Sequence, residues 1–338
     1  MPIFNQGTGG GGASLSPIIV VSAPTGSTVT CKKGSTVLTA EESSGTWSFA
    51  IPAYGTWTVT GVNAGTTAEK TVEVTAIEVY FVTLEFIPVL NNATWAQVKQ
   101  ASDSGVASNY WAVGDTKQIT MNGKVSDGLT LSSYSTYVFI IGFNHNNDVE
   151  GTGIAFGGFK TAASGGIDVA LCDSAYPDNK TSGQWFNMNN SNTNSGGWSG
   201  SRMRSTTLPL VKSALPSDLQ AVLKTTTIYS DNTGGGSDVA SYVTATQDEL
   251  YLLAEFEIFG ARTWANSAER NHQKQYAYYV AGNSKIKYRH DSTAAAVFWW
   301  ERSVIATYAD NFCYVDTHGT AGIDYASTSY GLAVAFKI

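Results

Sequence analysis

The sequence predicts an α+β protein: a small N-terminal β-sandwich, then a larger domain with few helices, short strands and long loops. Three observations lead there. Residues 17–78 alternate apolar and polar residues between closely spaced turn signals. From residue 94 onward the chain offers three helix-like stretches among β-like runs and long glycine- and asparagine-rich loops. Charged residues are only 14% of the chain, against the quarter usual in globular domains, while hydrophobic residues reach 43%. A packed core is therefore expected beneath a polar, weakly charged surface.

Residues 1–16 are Gly-rich and read as a flexible tail. "PIIVVSA" is the first strand, and "PTGS" turns it. In "TWTVTGV" the residues Trp57, Val59 and Gly61 share one face and threonines take the other. "EKTVEVTAIEV" alternates in the same way, and "KG", "SSG", "AYG" and "NAG" mark turns. Residues 79–93 read as a strand-like connection, and 94–338 as the second domain.

In the second domain, "NNATWAQVKQASDSG" offers Thr94 as a cap, with Trp95, Val98 and Ala101 at helical spacing. A second helix fits "LVKSALPSDLQAVLK", with Ser217 as an internal cap. A third fits "NSAERNHQKQYAYYVAG", with Ala268, Tyr276 and Tyr279 facing a core and Gly282 ending it. "STYVFIIGFNH", "GIAFGGF" and "IDVALCD" read as strands.

Several function classes are set aside. A net charge of -7 argues against nonspecific nucleic-acid binding. No apolar run is long enough to span a membrane, and the N-terminus shows no secretory signal. The expectation is synthesis in a cytoplasm and release by a route such as lysis. Cys31, Cys172 and Cys313 lie far apart and are expected as buried free thiols. His145, Asn147, Asp148 and Glu150 in "GFNHNNDVEGTG" carry oxygen ligands that Ca²⁺ accepts, but without EF-hand spacing; a polar turn is the reading, and no metal or cofactor is expected. His272, His290 and His318 pair with no nucleophile. "NTGGGS" and "GTGGGG" lack the Gly-Lys-Ser/Thr of a phosphate loop. Glu255 and Glu257 sit two apart in an apolar, strand-like run; a glycosidase pair and a core-edge role are both open, and no catalytic residue is expected.

The segment from Val304 to Tyr330 contains no Trp, Gln, Glu, Lys or Met. It lies between Trp-Trp-Glu-Arg-Ser and Gly-Leu-Ala-Val-Ala-Phe. Randomising the adenines of AAC or AAT codons gives NNY codons, which never encode those five residues. An ordinary hairpin region that avoids long side chains is the alternative. The frame is assigned to Trp299, Trp300, Arg302, Gly331 and Phe336, with Arg302 serving loop carbonyls and Leu332, Val334 and Phe336 alternating in a final strand. The candidate ligand-contacting residues are Val304, Ile305, Thr307, Tyr308, Asp310, Asn311, Asp316, His318, Ile323, Asp324, Tyr325, Thr328 and Tyr330.

Two resemblances add to this. "APTGSTVTCKKG…GTWSFAIPAYGTWTVTG" resembles the PEGA and carboxypeptidase-regulatory-like sandwich modules, which implies a spacer. "NYWAVGDTKQITMNG", "SALPSDLQAVLKTTTIYSDNTGGG", "LLAEFEIFGARTWAN" and "WWERS…FCYVDTHG…YGLAVAFKI" resemble phage and prophage proteins. The last block is similar to the C-type-lectin fold of formylglycine-generating-enzyme-like domains, used by the variable proteins of diversity-generating retroelements. The resemblance implies a phage tail-tip protein that grips a bacterial surface protein or glycan, joins the tail through its N-terminus, and forms a homotrimer. It implies a place in the virion tail. Enzymes of that fold use a cysteine pair near the C-terminus, and only Cys313 is present here. A bacterial surface adhesin, or an enzyme acting on cell-wall glycan, are the other readings.

Overall fold

The computed structural model describes residues 15–63 and 66–338, so most of the Gly-rich tail expected over 1–16 lies outside the described residues. The chain divides after Pro88 into two compact units. It is mixed α+β and dominated by sheets, with 40% strand and 18% helix. Among the described residues no helix is long and apolar enough to cross a membrane.

The first unit holds two sheets. One has the order Thr46–Ala50, Ile18–Ser22, Val79–Thr83; the other runs Thr36–Thr39, Thr28–Lys33, Gly55–Asn63, Thr66–Val74. Alternate residues of both sheets enter one cluster that includes Ile19, Val21, Cys31, Phe49, Trp57 and Val59. Trp57, Val59 and Gly61 do share the buried face, as the alternation predicts. Gly61 is required there: a Cβ would stand 2.6 Å from the Leu84 side chain and 2.7 Å from the Phe86 ring. The connection expected over 79–93 begins later than predicted. Val79–Thr83 is a strand, paired in parallel with Ile18–Ser22, because its backbone closes the edge of that sheet.

The second unit starts at Val89. The helix Trp95–Asp103 forms as predicted, with a capping box between Thr94 and Gln97. It buries Trp95 edge-on against Phe156 and Phe336. The largest sheet has seven strands and is built on the long hairpin Thr116–Ser126/Leu129–Phe143, followed by Ile154–Lys160, Asp168–Ala170, Lys287–Arg289 and Ser292–Val297. Ala335–Lys337 also pairs with Ile154–Lys160. Leu332, Val334 and Phe336 are core residues, but so is every residue from Ala326 to Ile338, so the final segment runs through the interior without an exposed face.

Two predicted helices are broken. Leu208–Ala214 and Ser217–Gln220 are separate, because Leu215 is extended ahead of Pro216, where the ring disfavours helical backbone. Ser217 is inside the second piece and is not its cap. The stretch from Asn266 forms a 3₁₀ turn over Ser267–Asn271 and a short helix over Ala277–Val280. Between them the backbone leaves the helix, and the Tyr276 amide donates to the Glu257 carbonyl. Ala268, Tyr276 and Tyr279 are buried as expected. Glu255 and Glu257 lie on a short helix, Glu255–Phe259, not on a strand.

Candidate ligand-binding face

The segment from Trp299 to Tyr325 forms a three-stranded antiparallel sheet, Trp299–Val304, Asn311–Val315 and Ala321–Tyr325. Its first strand is wholly buried and its last is the partly exposed edge. The buried strand carries the frame.

Arg302 is fully buried, and its guanidinium reaches acceptors on three other parts of the unit. Nη1 donates to the Leu252 carbonyl at 2.7 Å and to Glu257 at 2.6 Å. Nη2 donates to Glu257 and to the Tyr229 carbonyl, and Nε donates to Ser230 at 2.8 Å. All five donors of the planar fork are satisfied, two of them by one carboxylate in a bidentate pair. Glu257 also accepts from the Ala254 amide, which fixes the start of its helix. The charges of Glu257 and Glu269 raise the already high pKa of Arg302 despite its burial.

Ser303 extends the lattice. It donates to Glu269 at 2.7 Å and accepts from the Glu255 amide. The Glu255 carboxylate holds the amides of Trp264 and Ala265. The pair Glu255/Glu257 therefore divides into two positioning groups facing backbone and a guanidinium. Glu301 differs from them: it is fully buried, and among the described residues neither carboxylate oxygen has a hydrogen-bond partner. Burial, and after it the charges of Glu255, Glu269 and Glu257, push its carboxyl well above the usual range.

The other residues assigned to the frame are packed in the interior. Trp299 and Trp300 are buried and donate their indole N–H groups to the carbonyls of Lys285 and Phe186. Phe336 stacks on Phe156. At Gly331 a Cβ would meet the Ala170 side chain and the Phe298 carbonyl oxygen, each at 2.9 Å.

The 304–330 segment separates into two groups. Val304, Ile305, Thr328 and Tyr330 are buried, which corrects their assignment to a ligand face. Val304 pairs with Phe312 inside the sheet, and Ile305 bridges Ala265. Thr328 bridges Asn179. Tyr330 packs among Phe298, Trp300 and Tyr314, and its hydroxyl donates to Asp324. Asp316 is partly exposed but builds the hairpin turn, accepting from the His318 and Thr320 amides.

Thr307, Tyr308, His318 and Tyr325 are exposed, and Asp310, Asn311, Ile323 and Asp324 are half-buried. Tyr308 is 57% exposed and Tyr325 46%. Their loop is held by its main chain. The buried Asn194 donates through Nδ2 to the carbonyls of Tyr308 and Asn311, and its amide donates to the Ala309 carbonyl. The Ala326 amide donates to the Asp310 carbonyl.

The "NTGGGS" loop backs this arrangement. Its Gly235 amide donates to the Asn194 side chain, and Asp231 takes the amides of Thr233 and Gly234. Gly236, at φ +70°, lies so close that a Cβ would stand 2.8 Å from the Tyr308 carbonyl carbon. The glycine-rich loop thus cradles another loop's backbone. Sequence reasoning missed Asn194 and Gly236, and it named Glu257 without its Arg302 partner. Nothing distinguishes Asn194 within an asparagine-rich stretch, whereas a carboxylate inside the apolar run "LLAEFEIF" does signal a buried cationic partner.

Five clefts open elsewhere on the surface, and none of these five is lined by residues 304–330. Residues 178–338 match the family described as a domain of unknown function, DUF6273. The matched stretch includes Asn194, Glu257, Arg302 and the whole 304–330 segment. No curated protein and no solved structure matches the chain.

Two measurements test the buried lattice. Arg302→Met and Glu257→Gln should each cost about 3–5 kcal/mol in chemical denaturation, since each strands a buried charge or donor. The double variant should cost clearly less than the sum; additive losses below about 1 kcal/mol would contradict the pairing. Glu301 gives a pH signature. Its folded-state pKa is raised above the ordinary 4.5, so the unfolded chain loses this proton first as pH rises. The stability supplied by protonated Glu301 is full below that value and falls as pH climbs toward the folded-state pKa. Glu301→Gln removes this slope. The Tm of the variant minus that of the parent should therefore grow from pH 5 to 8; a constant difference would refute it.

Proposed function

We propose that this chain is a phage or prophage receptor-binding protein, and that its work is display, not catalysis. In this reading the first unit is a PEGA-like sandwich that acts as a spacer. The second is a C-type-lectin-like domain of the formylglycine-generating-enzyme type, with a face diversified by retroelement mutagenesis. The ligand is a bacterial surface protein or glycan, the N-terminus attaches to the tail, and the protein works in the virion tail as a homotrimer.

One observation carries the reading: the exposed residues of the loop stand on a backbone that other residues hold. Among the described residues the side chains of Thr307, Tyr308, Asp310, Asn311 and Tyr325 make no hydrogen bond, ion pair or ring contact. Asn194 and Gly236 hold the carbonyls and shape of the same loop without using those side chains. Such positions accept change at little cost in stability. Tyr adds contact area with little rotamer entropy, and Asp and Asn add adaptable hydrogen bonds. The NNY vocabulary of the segment is what adenine-directed mutagenesis leaves behind. Several weak contacts per particle then add through multivalency.

The triple variant Tyr308→Ala, Asp310→Ala, Tyr325→Ala tests this. Adsorption across a panel of bacterial strains should fall about tenfold or more, while Tm stays within a few degrees. Unchanged adsorption, or unfolding of the variant, would overturn the proposal.

A further inference from the structure

Beside this face lies a cleft of ≈ 660 Å³ with an unusual charge for this chain. One wall is Gly260–Arg262, just after the Glu255–Phe259 helix, and the other is Arg270–Gln275. Arg262, Arg270 and Lys274 converge on it in a protein whose net charge is -7. Arg262 pairs with Asp238 at 3.0 Å and donates to the Ala265 carbonyl. Arg270 and Lys274 are exposed, and among the described residues their side chains have no carboxylate and no hydrogen-bond partner. Two cations without a carboxylate partner on one wall, with Arg262 on the facing wall, make the opening locally positive in an acidic molecule.

The cleft walls are fixed in position. Gln275 donates to the Ile258 carbonyl at 3.0 Å and packs against Gly260, where a Cβ would meet its Oε1 at 2.7 Å. Among the described residues that Oε1 accepts no hydrogen bond, so it is available to a hydroxyl donor. The Lys274 carbonyl is held against His145 at 2.9 Å. The Arg262 wall continues directly into the display face: the Ala306 amide donates to the Trp264 carbonyl, and the Trp264 indole reaches the Ala321 carbonyl at 3.4 Å.

We propose that this cleft binds the anionic group of an acidic sugar or polyol, giving the protein a fixed anchor next to its changeable contacts. Arg270 and Lys274 take the charge, Arg262 adds a donor, and Gln275 accepts from a hydroxyl. The shared ligand chemistry is an anion next to hydroxyl groups, as phosphate-bearing and carboxylate-bearing surface glycans both provide. The biological use of the cleft rests on the receptor-binding reading; its occupancy by a small anion does not.

Calorimetric titration of the full chain with glycerol phosphate, glucuronate and glycerol tests it. At least one anion should bind and glycerol should not, and whichever anion binds identifies phosphate or carboxylate as the source. The double variant Arg270→Gln, Lys274→Gln should weaken that binding about tenfold or more, since charge-assisted hydrogen bonds are lost. The Tyr308, Asp310, Tyr325 triple variant should bind the anion as the parent does. Binding of neither anion, or equal binding by the double variant, would overturn the cleft proposal. A triple variant that keeps both anion binding and bacterial adsorption would instead overturn the display reading and leave the cleft standing.

Discussion

The second unit depends on the bidentate pair between Arg302 and Glu257. A guanidinium with no exposure in an apolar interior is tolerable only when its five donors and its charge are all met. Meeting them brings the Trp299–Val304 strand, Tyr229 and Ser230 of the Thr226–Asp231 strand, the Leu252 carbonyl and the Glu255–Phe259 helix to fixed distances. Ser303 and Glu255 carry the order one step further, to the Trp264–Ala265 backbone that flanks the face. The position of the exposed residues is thus decided by groups that never reach solvent.

A second rule follows from the Asn194 loop. Hydrogen bonds to main-chain carbonyls are indifferent to the side chain attached to that residue. By capping Tyr308 and Asn311 through their carbonyls, Asn194 separates loop shape from loop chemistry. Gly236 and Gly234 serve the same end by permitting backbone to approach backbone, at distances any Cβ would forbid. Glu301 marks the cost of the arrangement: a buried carboxyl without donors among the described residues, whose ionisation burial and the neighbouring carboxylates oppose.

Much of the fold was legible where local physics acts alone. Alternation placed Trp57, Val59 and Gly61 on the buried face, and a capping box fixed the start of the Trp95 helix. Legibility failed where distant backbone competes with local preference. Tyr276 leaves its helix to reach the Glu257 carbonyl, and Val79–Thr83 pairs with Ile18–Ser22, far earlier in the chain. The boundary of the candidate face was blurred for the same reason. Codon vocabulary describes what a position can encode, and Val304, Ile305, Thr328 and Tyr330 satisfy it while sitting in the core. Only tertiary packing separates these four from Thr307, Tyr308, Asp310 and Tyr325. The basic cleft was invisible too, because Arg262, Arg270 and Lys274 form no run in sequence.

In this segment backbone and side chain have separate tasks. A display library with NNY codons at Thr307, Tyr308, Asp310, His318 and Tyr325, scored for protease resistance, tests this separation. A matched library at Val304, Ile305, Thr328 and Tyr330 serves as the comparison. Most members of the first library should resist proteolysis like the parent, and few of the second should. Equal tolerance in the two libraries, or collapse of the first, would contradict it.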